Sequence, residues 1–222
     1  MRRPAVLRLR LAALLAITVL FAAVAVAAPA GTEPKILLFG DSLIAGLGLP
    51  PDKAFSAKLA AKLRSMGINA KVIPAGNSGD TTTDGVNRLD WALAQNKPDF
   101  ILIELGANDG FRAFDPRTLM RINFDLMIQK AKTAGAKVLL AGMKAPLNWG
   151  DDYVRGFDAL YLDLARTHGV ALYPFFLDGV ALQSQLNQAD GYHPNERGVD
   201  VIVDRITPYI VRLLQQDQGG RS

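Results

Sequence analysis

The sequence predicts an α/β fold: a three-layer α/β/α sandwich around a five-stranded parallel sheet. Two observations carry that prediction. Short apolar runs alternate with longer segments whose apolar residues recur every three or four positions, and several of the longer segments close at a glycine. Half of the 222 residues are hydrophobic and no cysteine is present, so one apolar core without disulfides has to hold the chain. Strands alternating with helices give a parallel sheet covered on both faces. In such sheets a ligand sits beyond the carboxyl ends of the strands, where the strand order reverses.

The elements follow in chain order. KILLF (Lys35–Phe39) is a buried strand ending at Gly40, and Ala54–Met66 carries Phe55, Leu59 and Leu63 on one helical face and stops at Gly67. Ala70–Ile73 is the second strand. Thr81–Gln95 is a helix with Val86, Leu89 and Leu93 on one side. FILIEL (Phe100–Leu105) is the third strand, and the helix Arg117–Ala134 ends at Gly135. KVLLA (Lys137–Ala141) is the fourth strand, Tyr153–His168 a helix closed by Gly169, and Val170–Tyr173 the fifth strand. Gly198–Gln215 is the last helix, with a kink expected at Pro208, whose ring cannot continue the hydrogen-bond ladder.

Residues 1–30 differ from the rest. Arg2, Arg3, Arg8 and Arg10 precede an apolar run from Leu11 to Ala28, which ends in small residues. This is the pattern of a cleaved export signal, with an uncleaved membrane anchor as the alternative. Residues 31–222 then form the functional domain, periplasmic or secreted, with no stable membrane span after cleavage. Without those four arginines, 21 of the 25 basic residues remain against 21 acidic ones. The net charge of +4 therefore belongs to the leader, and no nucleic-acid partner is expected.

Five residues are candidates for chemistry. Ser42 lies in Gly40-Asp41-Ser42-Leu43, just past the first strand, where backbone N–H groups converge; a helix cap is the ordinary role of such a serine. Gly79, in Asn77-Ser78-Gly79-Asp80-Thr81, and Asn108, in Gly106-Ala107-Asn108-Asp109-Gly110, follow the second and third strands; turn residues are the ordinary reading of both. His193 lies in Asp190-Gly191-Tyr192-His193-Pro194, with Asp190 three positions before it and able to curl back onto the imidazole. A capping turn that happens to hold a histidine is the alternative. The other histidine, His168, precedes Gly169 at a helix C-terminus, where a cation suits the helix dipole, and is read as structural. Taken together, a hydroxyl, an imidazole, a carboxylate and two potential oxyanion donors can converge on one strand-end crevice.

The segments GDSLIAGLGL, SGDTTTDG, LGANDGFRAF and DGYHPNERG resemble the four sequence blocks of the SGNH or GDSL hydrolases, in order and at the expected separations. The stretch from Ala145 to Val180 is similar to the bacterial periplasmic arylesterase, thioesterase and lysophospholipase branch. The resemblance covers the chain from about residue 35 into the last helix and implies the SGNH fold, which is flavodoxin-like in its layering. It implies Ser42 as nucleophile, His193 as base and Asp190 as its orienting carboxylate. It places the oxyanion hole on the backbone N–H groups of Ser42 and Gly79 and the side-chain amide of Asn108. No metal or organic cofactor is implied. Pro74, where relatives often carry Asn, and Ala107, in place of a common Gly, depart from the pattern away from these positions.

The expected activity is hydrolysis of a small ester or lipid substrate: aryl or short-to-medium acyl esters first, lysophospholipids and thioesters next. Phe111, Phe114, Leu147 and Trp149, in the loops Leu105–Arg117 and Met143–Asp152, are candidates to line an acyl groove, or simply to pack those loops. The alternatives are a carbohydrate or peptidoglycan O-acetyl esterase and a catalytically silent binding domain on the same fold. A phosphate-binding loop is excluded, because no strand end carries G-x-x-x-x-G-K-[ST] or G-x-G-x-x-G.

Overall fold

A computed structural model describes residues 33–218. The segment 1–30, read above as an export signal, lies outside the described residues. Five strands form one sheet: β1 (Lys35–Gly40), β2 (Lys71–Gly76), β3 (Phe100–Glu104), β4 (Lys137–Ala141) and β5 (Ala171–Tyr173). Their spatial order is β2-β1-β3-β4-β5 and every pairing is parallel. The chain steps outward from β1 to β2 and then returns past β1 to β3. That reversal is the switch point, so loops after neighbouring strands part there and leave a crevice.

Among the described residues seven α-helices surround the sheet: α1 (Ser42–Ala45), α2 (Phe55–Ser65), α3 (Thr82–Asn96), α4 (Ala107–Phe111), α5 (Arg121–Thr133), α6 (Asp151–His168) and α7 (Glu196–Gln218). Helix α2 packs against α7, while α3 packs on α5 and α5 on α6. Right-handed crossovers require these two groups on opposite faces once the direction of travel reverses. The β1 residues Ile36 to Phe39 are at most 2% exposed. Such side chains each contribute roughly 1.5–3 kcal/mol of burial, which explains why a run apolar at every position forms a central strand.

The sequence placed each of the five strands and each of the long helices, and differences are confined to ends and short elements. Strand β2 extends past Ile73 to Gly76 and takes Pro74 into the sheet opposite Leu38. A proline is tolerated there because β2 is an edge strand. Helix α5 begins at Arg121 rather than Arg117, because Pro116–Met120 forms a separate wider π-type turn capped by the Asp115 carboxylate. Helix α6 starts two residues early, at Asp151. Helix α7 runs unbroken through Pro208, and in that turn the Thr207 hydroxyl donates to the Val203 carbonyl at 2.6 Å. The two shortest helices, α1 and α4, sit in segments too short for a periodic pattern to mark.

Candidate active site

The crevice residues are assembled by the three βα junctions of β1, β2 and β3 and by the loop that enters α7. At the first junction Asp41 caps α1: its Oδ1 accepts from the Leu43 N–H at 3.0 Å. Ser42 is therefore the first residue of a helix, where no helical carbonyl can accept its N–H. At the second junction Gly79 has φ +87°, and a Cβ built on it would meet nothing within 4 Å. Its need for glycine is conformational, and its surface faces open space. At the third, Asn108 lies in α4, and its Nδ2 donates to Asp41 Oδ2 at 3.1 Å and to the Asp80 carbonyl at 3.0 Å.

His193 comes from the far end of the sequence. Its Nε2 lies 2.9 Å from Ser42 Oγ, and its Nδ1 lies 2.7 Å from Asp190 Oδ2. The other oxygen, Asp190 Oδ1, accepts from the backbone N–H of Tyr192 at 2.9 Å and of His193 at 3.0 Å. These contacts, led by the His193 backbone N–H and then its ring, hold the Asp190 carboxyl down at about 2. The loop is fixed on both sides. Gln188 N–H donates to the His193 carbonyl at 2.8 Å, and Gln188 Nε2 donates to the Leu47 carbonyl at 2.8 Å, just after α1. Asn195 Oδ1 accepts from the N–H groups of Arg197 and Gly198 and so caps α7.

All five candidate residues thus meet at one rim of the sheet. His168 does not: it ends α6 and pairs through Nε2 with Asp125 at 2.6 Å. Several residues that shape the site carried no signal of their own. Arg88, on α3, donates to Gly40 O and Ala75 O at 2.8 Å each and pairs with Asp80 at 2.5 Å, so one guanidinium ties the ends of β1 and β2 to the Gly79 loop. Asn77 also donates to Asp80. Asp109 is fully buried and accepts from both the N–H and the hydroxyl of Thr82, at 2.8 and 2.5 Å, which clamps α4 to the start of α3. Burial pushes its carboxyl up, against the pull of these Thr82 bonds. The sequence marked the helix that holds Arg88, but nothing local to Arg88 shows that its guanidinium turns back to the ends of β1 and β2.

An aromatic wall begins at the His193 loop. Tyr192, next to His193, meets Phe111 edge-on at 5.6 Å, and Phe111 meets Trp149 at 5.5 Å. Trp149 continues to Tyr153 at 5.7 Å and Phe157 at 6.2 Å. Phe111 and Tyr192 are 58% and 62% exposed, so the near end of the wall is open to solvent. Of the groove candidates, Phe111 and Trp149 belong to it, Phe114 packs against the core, and Leu147 projects into solvent at 84% exposure. Tyr192 was not among them, because only the fold brings the His193 loop beside α4. Among the described residues no group of three or more His, Asp or Glu side chains is placed to hold a metal ion, and no helix is long and apolar enough to cross a membrane.

Comparison with known proteins agrees with this fold. The chain is 40% identical over 179 residues to Esterase TesA of Pseudomonas aeruginosa, covering 81% of this chain and 89% of that protein. It is 37% identical over 192 residues to Thioesterase 1/protease 1/lysophospholipase L1 of Escherichia coli strain K12, covering 85% and 88%. Among solved structures, esterase EstA from Pseudoalteromonas sp., inhibited by monoethylphosphonate, superposes with TM-score 0.78 at 32% identity, over 82% of this chain and all of that one. AlinE4, an SGNH-hydrolase family esterase, gives TM-score 0.69 at 41% identity over 83% and 98%. Residues 38–201, from within β1 into α7, match the family model itself, and the chain belongs to the GDSL-like lipase/acylhydrolase family.

Proposed function

We propose that this serine esterase works through an acyl-enzyme on Ser42, with His193 as general base, Asp190 as its orienting carboxylate, and an oxyanion hole of the Ser42 and Gly79 N–H groups and the Asn108 amide. The observation that carries the reading is the unbroken relay from Ser42 Oγ through His193 to Asp190, with steps of 2.9 and 2.7 Å. With Asp190 ionised and bound to Nδ1, the imidazole keeps its proton there and leaves Nε2 free to accept from the serine. Attack on an ester carbonyl moves the Ser42 hydroxyl proton to Nε2 and places negative charge on the carbonyl oxygen. His193 then protonates the leaving alcohol or thiol, and a water repeats the cycle on the acyl-enzyme. Both Asn108 amide protons are engaged in the free enzyme, by Asp41 Oδ2 and the Asp80 carbonyl, so the bond to the Asp80 carbonyl is given up or shared with the oxyanion while the bond to Asp41 keeps the amide in place.

The substrate class is read from the wall of Tyr192, Phe111 and Trp149, which begins next to His193 in the chain. An open, apolar, aromatic surface suits aryl esters and short-to-medium acyl chains, and by extension lysophospholipids and acyl thioesters. It offers little to the polar sugar of an O-acetylated glycan. Relatives named as esterase, arylesterase and thioesterase/lysophospholipase support the same range. The reading includes export, with residues 1–30 removed and 31–222 acting in the periplasm or outside the cell. N-terminal sequencing of the mature protein tests that part. The central test is turnover of p-nitrophenyl esters of rising acyl length by wild type and Ser42→Ala. Activity retained by the folded variant rejects Ser42 as the nucleophile.

A further inference from the structure

Behind the nucleophile lies a pair of buried carboxyl groups that the proposed relay does not use. Glu104 ends β3 directly opposite Gly40 and is 0% exposed; Asp41 is 1% exposed. The Glu104 side chain lies across the Gly40 backbone. A Cβ on Gly40 would stand 2.8 Å from Glu104 Oε2 and 2.5 Å from the Glu104 carbonyl oxygen, so glycine is required there. No N–H or hydroxyl group among the described residues reaches either Glu104 carboxyl oxygen in hydrogen-bonding geometry. The nearby phenol, Tyr161, is engaged by the Leu105 carbonyl at 2.9 Å. What the Glu104 carboxyl faces is Asp41.

Two carboxylates in contact and out of water cannot both be ionised. The hydrogen bonds decide which one keeps the proton. Asp41 accepts from two donors, the Leu43 N–H at 3.0 Å and the Asn108 amide at 3.1 Å, and these stabilise its negative charge. Glu104 is offered only the Asp41 backbone N–H, which does not reach regular hydrogen-bonding geometry. We infer that Glu104 is a positioning residue of the oxyanion hole: as a buried carboxylic acid it donates to the Asp41 carboxylate and fixes the oxygen that holds the Asn108 amide in place. Burial first and then the Asp41 charge push the Glu104 carboxyl well above its ordinary range, in keeping with this assignment. The same bond secures the cap of α1, because the other Asp41 oxygen holds the Leu43 N–H. Glu104 touches no substrate; it acts through Asp41 on Asn108. The inference rests on the assignment of Asn108 as an oxyanion donor.

The test compares Glu104→Gln, which still offers an N–H to Asp41, with Glu104→Leu, which offers none. Glu104→Leu is expected to lower kcat on a p-nitrophenyl ester by roughly tenfold to a hundredfold, somewhat less than outright loss of an oxyanion donor. KM is expected to stay within about twofold, the signature of an interaction felt in the transition state. Glu104→Gln should restore most of that rate. In an Asn108→Ala background Glu104→Leu should cost little more, since the two act in series. Infrared difference spectra of wild type against Glu104→Gln at neutral pH should contain a band from an unionised carboxyl group. Absence of that band overturns the inference even if Glu104→Leu fails to fold, as does a Glu104→Leu enzyme with wild-type kcat. Wild-type activity in Asn108→Ala would instead reject the underlying site assignment.

Discussion

Replacing Asp190 by Asn tests the relay where its geometry is most explicit. Asp190 Oδ1 is held by two backbone N–H groups, at 2.9 and 3.0 Å, and an asparagine oxygen in that place keeps both bonds. Its amide NH2 must then occupy the position of Oδ2, 2.7 Å from His193 Nδ1. Two N–H groups cannot face each other at that distance, so the imidazole gives up its Nδ1 proton and carries it on Nε2. There it donates to Ser42 Oγ across 2.9 Å and cannot accept the serine proton. In a buried triad the equivalent change costs about 10⁴ in kcat. The Asp190 side chain is 44% exposed, so water can replace part of its effect, and a loss of roughly 10³ is expected here. The assay is kcat and KM for p-nitrophenyl butyrate, measured across neutral and mildly alkaline pH with circular dichroism as a control for folding. A loss smaller than about tenfold in a folded variant would refute the tautomer argument.

The remaining predictions concern the scaffold. Arg88→Met removes the partner of the buried Asp80 carboxylate and should destabilise the fold by about 3–5 kcal/mol, read as a lower denaturation midpoint in urea. Gly79→Ala forces an L residue to φ +87° at a cost of roughly 1–3 kcal/mol without a clash, so it should fold with a lowered Tm and a reduced kcat. Phe111→Ala and Tyr192→Ala should each raise KM for aryl esters more than for alkyl esters of the same acid; equal effects on both would remove the wall from the substrate reading. Burial first of all raises the Asp41 carboxyl from 3.8 to about 6. Between these values the folded state binds more protons than the unfolded one, so the contribution is full below about pH 4 and is lost as pH rises through about 6. Asp41→Asn should flatten that part of the Tm-versus-pH curve, and an unchanged slope would contradict the assignment.

The sequence was legible wherever a role is repeated along the chain. Apolar runs marked the strands, and spacing such as Phe55, Leu59 and Leu63 marked the helix faces, because burial imposes a period. Ser42, Gly79, Asn108, Asp190 and His193 were legible because each directly follows a strand or precedes a helix inside a recognisable block. Residues that work singly across the fold were not. Arg88 reaches the ends of two strands, Gln188 bridges to Leu47 and Glu104 meets Asp41, yet each reads locally as an ordinary helix, loop or strand residue. Their partners lie 13 to 141 positions away, so no local pattern announces them. Helix α1 escaped for a different reason: four residues held by one aspartate cap leave no periodic trace.

Pro74 has a consequence for how this molecule meets copies of itself. It sits in β2, the outermost strand on one flank of the sheet, and is paired only on its inner side, to Leu38. A second chain seeking to extend the sheet there would find a ring where it needs a donor. On the opposite flank β5 is only three residues long and offers almost no ladder to join. Both borders of the sheet therefore discourage growth by strand addition.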